Sequence, residues 1–310
     1  MLNNFTKLTE DVHSQIKFAD EANACFDDVL KKLKEIVKNK RIKNSDGVYY
    51  SNVYGGGNGL SDKGDAIILT NRKHDTVNMY NDKYLNLSGL NNNDLPYTDI
   101  LITNCRLTKA GVFMMRQDYI EQNQIVLYCL QNNPQSEVEA ITSLTAILSS
   151  PAKLKDMRST FVHEYMHLCE HNMRYIKNKD FEFEDQDLPW SERQHEIDAV
   201  LLQYVAKLKD NILLEIQKLN RAKSDEIIEK RINYILCQYP RRPDITTLKS
   251  RLNTDSNLRR MLSIPKIKNK IYGRMYKIYT HLIDIVYKAL EDSNKLERYN
   301  KLIADKKNVT

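Results

Sequence analysis

Residues 160–169 read Thr-Phe-Val-His-Glu-Tyr-Met-His-Leu-Cys, an uncharged run apart from one His-Glu-x-x-His pattern. On a helix His163 and His167 are i and i+4, so both imidazoles project from one face, one above the other. That spacing suits two ligands on one tetrahedral zinc ion. Glu164 follows the first histidine, where its carboxylate can reach a water at the metal without ligating the ion. Zinc acidifies such a water, and the carboxylate takes its proton as it attacks a carbonyl.

A catalytic zinc site needs three protein ligands and an open position. Glu170, His171, Glu192, His195, Glu196 and Asp198 are the nearby candidates. His171 lies about 12 Å of helical rise from His163, too far for one ion to bind both. Glu170 meets a milder form of the same difficulty. A second helix crossing the first can deliver one carboxylate instead. Glu196 opens the segment Glu196-Ile197-Asp198-Ala199 after the acidic stretch 180–187, and small Ala199 allows close helix approach. Glu196 is the favoured third ligand. Glu192 or His195 could ligate in its place, and Glu196 could instead be a carboxylate at a helix N-terminus.

Thr160–Cys169 resembles the zinc-binding helix of the zincin metallopeptidases. Glu196-x-x-Ala199 is similar to the second metal-binding helix of their gluzincin branch. It is also similar to the Glu-x-x-Ala segment of compact bacterial and phage-type proteins such as the ImmA/IrrE-like group. The resemblance spans roughly residues 98–220. It implies a zinc-dependent endopeptidase, with His163, His167 and Glu196 holding Zn2+, Glu164 as general base, and a protein or peptide as substrate. It also implies an edge strand ahead of the metal-binding helix that holds extended substrate by backbone hydrogen bonds. The segments 111–116 and 124–130 are the two choices. One departure is Val200, where thermolysin-like enzymes place an aspartate. Asp198 is the substitute, as an acceptor for an imidazole N–H. For the group that stabilises the transition state, His195, Arg193 and Tyr204 are available.

The elements that must position these residues are legible as patterns. Apolar residues at steps of three or four predict a helix over 8–40. The Gly-rich stretch 44–64 reads as turns and loop, without the setting of a phosphate loop. Short β-branched or aromatic segments at 65–71, 98–105, 111–116 and 124–130 predict a small sheet of three to five strands. Helices are expected at 136–150 and 154–172, and from near Ser191, a plausible N-cap, to about 219. More are expected at 224–238, 245–262, 271–290 and 293–305, with Pro240, Pro243 and Pro265 as punctuation. The fold class is therefore α+β: a mostly α-helical, zincin-like fold with a small mixed or antiparallel sheet preceding the metal-binding helix. Three regions follow. Residues 1–60 are an N-terminal helix and Gly-rich loop, 61–220 the metallopeptidase core, and 221–310 a basic helical region.

The 310 residues are 41% hydrophobic and 28% charged, enough for a sizeable core and too apolar for disorder. No apolar run is long enough for a transmembrane helix, and the first residues do not read as a secretory signal. Five scattered cysteines with no Cys-x-x-Cys pair argue against a disulfide framework. A cytoplasmic protein with no membrane association is expected. Net charge is +6, but residues 201–310 carry 24 Lys and Arg against 12 Asp and Glu. Basic residues interleaved with tyrosines over 241–277 raise nucleic-acid contact as a second possibility. Two readings compete with the peptidase. One is a catalytically weak or inactive zincin-fold binding or structural protein, with association to a phage or mobile element as one form of it. The other is a nucleic-acid-associated factor that uses the basic C-terminal helices.

Overall fold

β-Branched segments pair into a five-stranded sheet in the computed structural model, which describes residues 12–42, 48–51, 66–70, 97–104, 111–116, 122–131, 134, 136–175, 187–241 and 244–301. Two compact units are formed. The described residues from 17 to 175 make the first, and 12–16 with 187–301 make the second. The class is α+β and mostly helical, as expected from the sequence.

In the first unit the strands are β1 (Val48–Ser51), β2 (Ala66–Thr70), β3 (Tyr97–Asn104), β4 (Gly111–Arg116) and β5 (Gln122–Leu130), in the order β1-β2-β3-β5-β4. All pairings are antiparallel except β3 with β5, so the sheet is mixed. Alternation sorts the side chains onto two faces. Ile67, Leu69, Ile100, Ile102, Ile125 and Leu127 bury on one, and Leu101, Val126 and Tyr128 form a cluster with Ile68 on the other. β4 is an edge strand and β5 an interior one, which separates the two candidate edge segments. β1 corrects the loop expectation for 44–64: Val48, Tyr49 and Tyr50 register against Leu69, Ile68 and Ile67. Its β-prone residues pair despite their Gly-rich surroundings. The glycines at 55–57 and the acidic stretch 180–186 lie outside the described residues.

Three helices accompany the sheet in this unit. α1 (Val12–Asn39) contributes residues 17–39 to the unit. α2 (Glu137–Leu148) starts at Ser136, whose hydroxyl accepts from the Glu139 amide, with Glu137 and Glu139 in the positive first turn. α3 (Pro151–Tyr175) begins on a proline that loses no helical hydrogen bond there, and it packs on β4 and β5. Its Met157, Phe161, Val162, Tyr165, Met166, Leu168 and Cys169 are all buried. Phe161 meets Phe26 of α1 at 5.5 Å between ring centroids. The Arg158 guanidinium lies 4.7 Å over the Phe26 ring and donates to Asp27. Packing on both sides explains why the middle of α3 carries few charges.

The second unit is all-helical. α4 (Gln194–Arg221) packs with α5 (Asp225–Gln238), α7 (Ser256–Leu262) and α8 (Pro265–Asp292). α6 (Ile245–Leu252) packs on α8. Residues 295–301 are also helical. The expected helix 245–262 is two helices, because Asp255 caps α7 by accepting from the Asn257 and Leu258 amides. Pro265 starts α8 at its first turn, six residues before the expected start. Ser191 lies in a short 3₁₀ turn (Trp190–Glu192), and α4 starts after Arg193, which makes no side-chain cap. Among the described residues no helix is long and apolar enough to cross a membrane.

Candidate metal centre

α3 brings His163 and His167 together on one face, as the i, i+4 spacing requires. Their Nε2 atoms lie 3.2 Å apart, with the rings nearly perpendicular (84°) and their centroids at 4.8 Å. At that separation one ring N–H can donate to the other ring, or both lone pairs can face a single cation. Zinc–nitrogen bonds of ~2.0–2.1 Å at a tetrahedral angle would hold two nitrogens ~3.3–3.4 Å apart. The histidine pair therefore fits a shared zinc ion without rearrangement of the helix. Three features make this possible: the i+4 spacing, the uninterrupted helix, and the buried aromatics Phe161 and Tyr165.

Glu164 is buried (7% exposed) and faces the sheet edge. Gly111, the first residue of β4, approaches so closely that a Cβ there would lie 3.2 Å from Glu164 Cγ, 2.5 Å from Thr160 Cγ2 and 3.1 Å from the Val126 carbonyl oxygen. Glu164 thus sits against the backbone of the edge strand. Gly111 was not singled out from the sequence. Its only signal there was a glycine at the start of a strand, which often marks a close approach. Thr160 is held by its own hydroxyl, which donates to the Asp156 carbonyl. Further along α3, Glu170 is fully buried. The side chain of His171 lies outside the described ones.

The remaining candidates belong to the second unit. Glu196 lies in the first turn of α4, with its Oε1 3.8 Å from the Nε2 of His195. Asp198, one of the most buried charges (4% exposed), accepts from Arg274 of α8 at 2.5 Å. Arg193 donates through Nε to the Leu188 carbonyl, and Glu192 pairs with Lys266 at 2.5 Å. Tyr204 lies two turns beyond Glu196, about 12 Å of rise along α4. Burial pushes its hydroxyl up to about 12, partly offset by the nearby Arg251 guanidinium.

The basic residues interleaved with tyrosines are largely engaged within the unit. Arg251 donates to the Gln238 carbonyl and lies between the rings of Tyr239 and Tyr279, 5.5 and 5.6 Å away. Lys249 sits 5.5 Å over Tyr272, and Arg241 sits 4.9 Å over Tyr287 while pairing with Glu291. These rings carry cation–π contacts inside the fold. Comparison with protein-family models, curated proteins and solved structures returns no match.

Proposed function

We propose that this chain is a zinc-dependent metallopeptidase of the zincin kind, gluzincin-like in taking its third ligand from downstream. The observation that carries the reading is the convergence of His163 and His167, Nε2 to Nε2, at a separation suited to one zinc ion. Glu196, in the first turn of α4, is the proposed third ligand. Zinc bound there supplies a Lewis acid that polarises a peptide carbonyl and lowers the pKa of water. Glu164, next to the first imidazole, takes the water proton and passes it to the departing amine. Its contact with Gly111 limits where the carboxylate can swing. The same contact puts the general base beside an edge strand, whose outward backbone groups suit an extended peptide. Asp198 is committed to Arg274, so its part is to anchor the start of α4, where Glu196 lies.

Elemental analysis combined with peptide-library cleavage tests the proposal. Purified wild-type chain should carry one zinc ion and cut peptides. His167→Ala and Glu196→Ala should lose the metal, while Glu164→Gln should keep it and lose cleavage by at least ~100-fold. Metal retained with no peptide cut would favour the inactive zincin-fold reading. A wild-type chain that binds no zinc would overturn both.

A further inference from the structure

α4 starts without a cap of its own. Arg193, just before its first turn, makes no side-chain cap, and Glu196 is the acidic residue of that turn. A backbone bond from the Ile197 amide to the Arg193 carbonyl closes it. Uncapped first turns fray, because their leading amides have no partner within the helix. Fraying here would loosen Glu196.

α8 supplies what the cap does not. Lys266, Lys270 and Arg274 follow one another at steps of four, so they share one face of α8. Lys266 pairs with Glu192 at 2.5 Å, Lys270 donates to the Gln194 side-chain oxygen at 2.7 Å, and Arg274 pairs with Asp198 at 2.5 Å. The partners 192, 194 and 198 bracket Glu196 and ascend in the same direction as the cations. One contact could act as a pivot. Three spread over about 12 Å of α8 fix both the rotation and the advance of the α4 start.

The three are unequal. Lys266 is 69% exposed, and a pair in open solvent contributes little. Arg274 and Asp198 are 11% and 4% exposed, so their charge-assisted bond is shielded from water and salt. Buried ion pairs often stabilise a fold no better than apolar side chains of like volume. What this pair adds over an apolar contact is direction, two residues from Glu196.

We propose that Arg274 is a positioning residue for Glu196. By holding Asp198 it sets the first turn of α4, and with it the direction in which the Glu196 carboxylate leaves the helix. Lys270 and Lys266 steady the residues just before. The inference rests on the proposed function, in which Glu196 is the third metal ligand.

Zinc affinity by chelator competition, and hydrogen exchange on the metal-free chain, test it. Arg274→Met should weaken zinc binding about 10-fold, and Arg274→Lys should recover at least half of that loss on a logarithmic scale. The sign separates positioning from plain charge, since removing a cation that neutralises Asp198 would by itself tighten the binding of a metal cation nearby. In the metal-free chain, amides of 197–201 should exchange about 10-fold faster in Arg274→Met, over and above any change at 282–286 farther along α8. Leu290→Ala is the control. It opens a cavity about 24 Å of helical rise from Arg274, and should lower the urea midpoint while leaving zinc affinity as in wild type. The double variant Asp198→Leu with Arg274→Met covers the case in which Arg274→Met fails to fold. Its apolar pair should keep the melting temperature near that of wild type and still weaken zinc binding. The proposal is overturned if Arg274→Met, or the double variant in its place, binds zinc as tightly as wild type or more so. It is equally overturned if exchange over 197–201 is unchanged. A wild-type chain that binds no zinc overturns the proposed function instead, and the exchange experiment, which needs no metal, then decides whether Arg274 sets the turn.

Discussion

Replacing Gly111 with alanine tests how tightly β4 closes on α3. The new methyl would lie 2.5 Å from Thr160 Cγ2, inside any real carbon–carbon contact, and 3.1 Å from a backbone oxygen that cannot rotate away. Thr160 is β-branched and tied through Oγ1 to the Asp156 carbonyl, so it yields only by breaking that bond or shifting the helix. Overpacking of this kind costs about 1–3 kcal/mol. Removing a strand glycine returns about 0.5–1 kcal/mol of backbone entropy. The net expectation is a loss of about 1–2 kcal/mol, read as a lower urea midpoint at unchanged slope. Thr160→Ser deletes Cγ2 and keeps the hydroxyl, so it should recover at least half of the loss in the double variant. Because Glu164 Cγ is the third contact, the proposed peptide cleavage should fall more than the proposed zinc content does. A Gly111→Ala chain as stable as wild type, or one that Thr160→Ser does not rescue, refutes the packing argument.

Other perturbations have equally defined outcomes. Asp198→Ala removes the carboxylate partner of the Arg274 guanidinium, which is only 11% exposed, and should cost about 3 kcal/mol in urea unfolding. Tyr204 holds its proton to about 12 when folded and to about 10 when unfolded, because burial disfavours the phenolate. Between those values the unfolded chain binds fewer protons, so stability should fall from about pH 10 to 12. Urea midpoints taken across that window should fall less steeply in Tyr204→Phe, the remaining fall coming from Tyr165, Tyr239 and Tyr279, whose hydroxyls burial also pushes up. A thiol reagent should label exposed Cys237 in the native chain, while Cys25 and Cys169, both buried, should react only on unfolding. Burial also pushes the Cys25 thiol up, away from its reactive form. Peptide mapping of the labelled chain checks this.

The histidine pair was legible because helical geometry turns a spacing of four into a shared face whatever the tertiary context. The strands were legible for a similar reason, since Ile, Val and Leu runs of five to nine residues have few alternatives once both sheet faces are buried. What escaped depended on partners distant in sequence. Val48–Ser51 looks like part of a loop until Ala66–Leu69 is beside it. Gly111 is an ordinary glycine until Thr160 and Glu164 arrive from α3. The break between α6 and α7 was local and still missed, because the Asp255 cap competes with a continuous apolar period that runs through it. The basic residues interleaved with tyrosines over 241–277 raise nucleic-acid contact when read from sequence. Several of those cations stack on rings of their own unit, which no spacing rule reveals.

The second unit draws on residues 12–16 as well as 187–301, with the first unit's described residues between them. On a ribosome the first unit has its described strands and helices by residue 175. Ile16 and Gln15, buried in the finished fold, must wait for α8 to be made. At ~5–20 residues per second that delay is on the order of 15–60 s. The growing chain therefore passes through a stage in which one unit can close while an apolar segment next to it still lacks its cover. A chain diluted from denaturant has no such interval, so its order of assembly need not match that of synthesis.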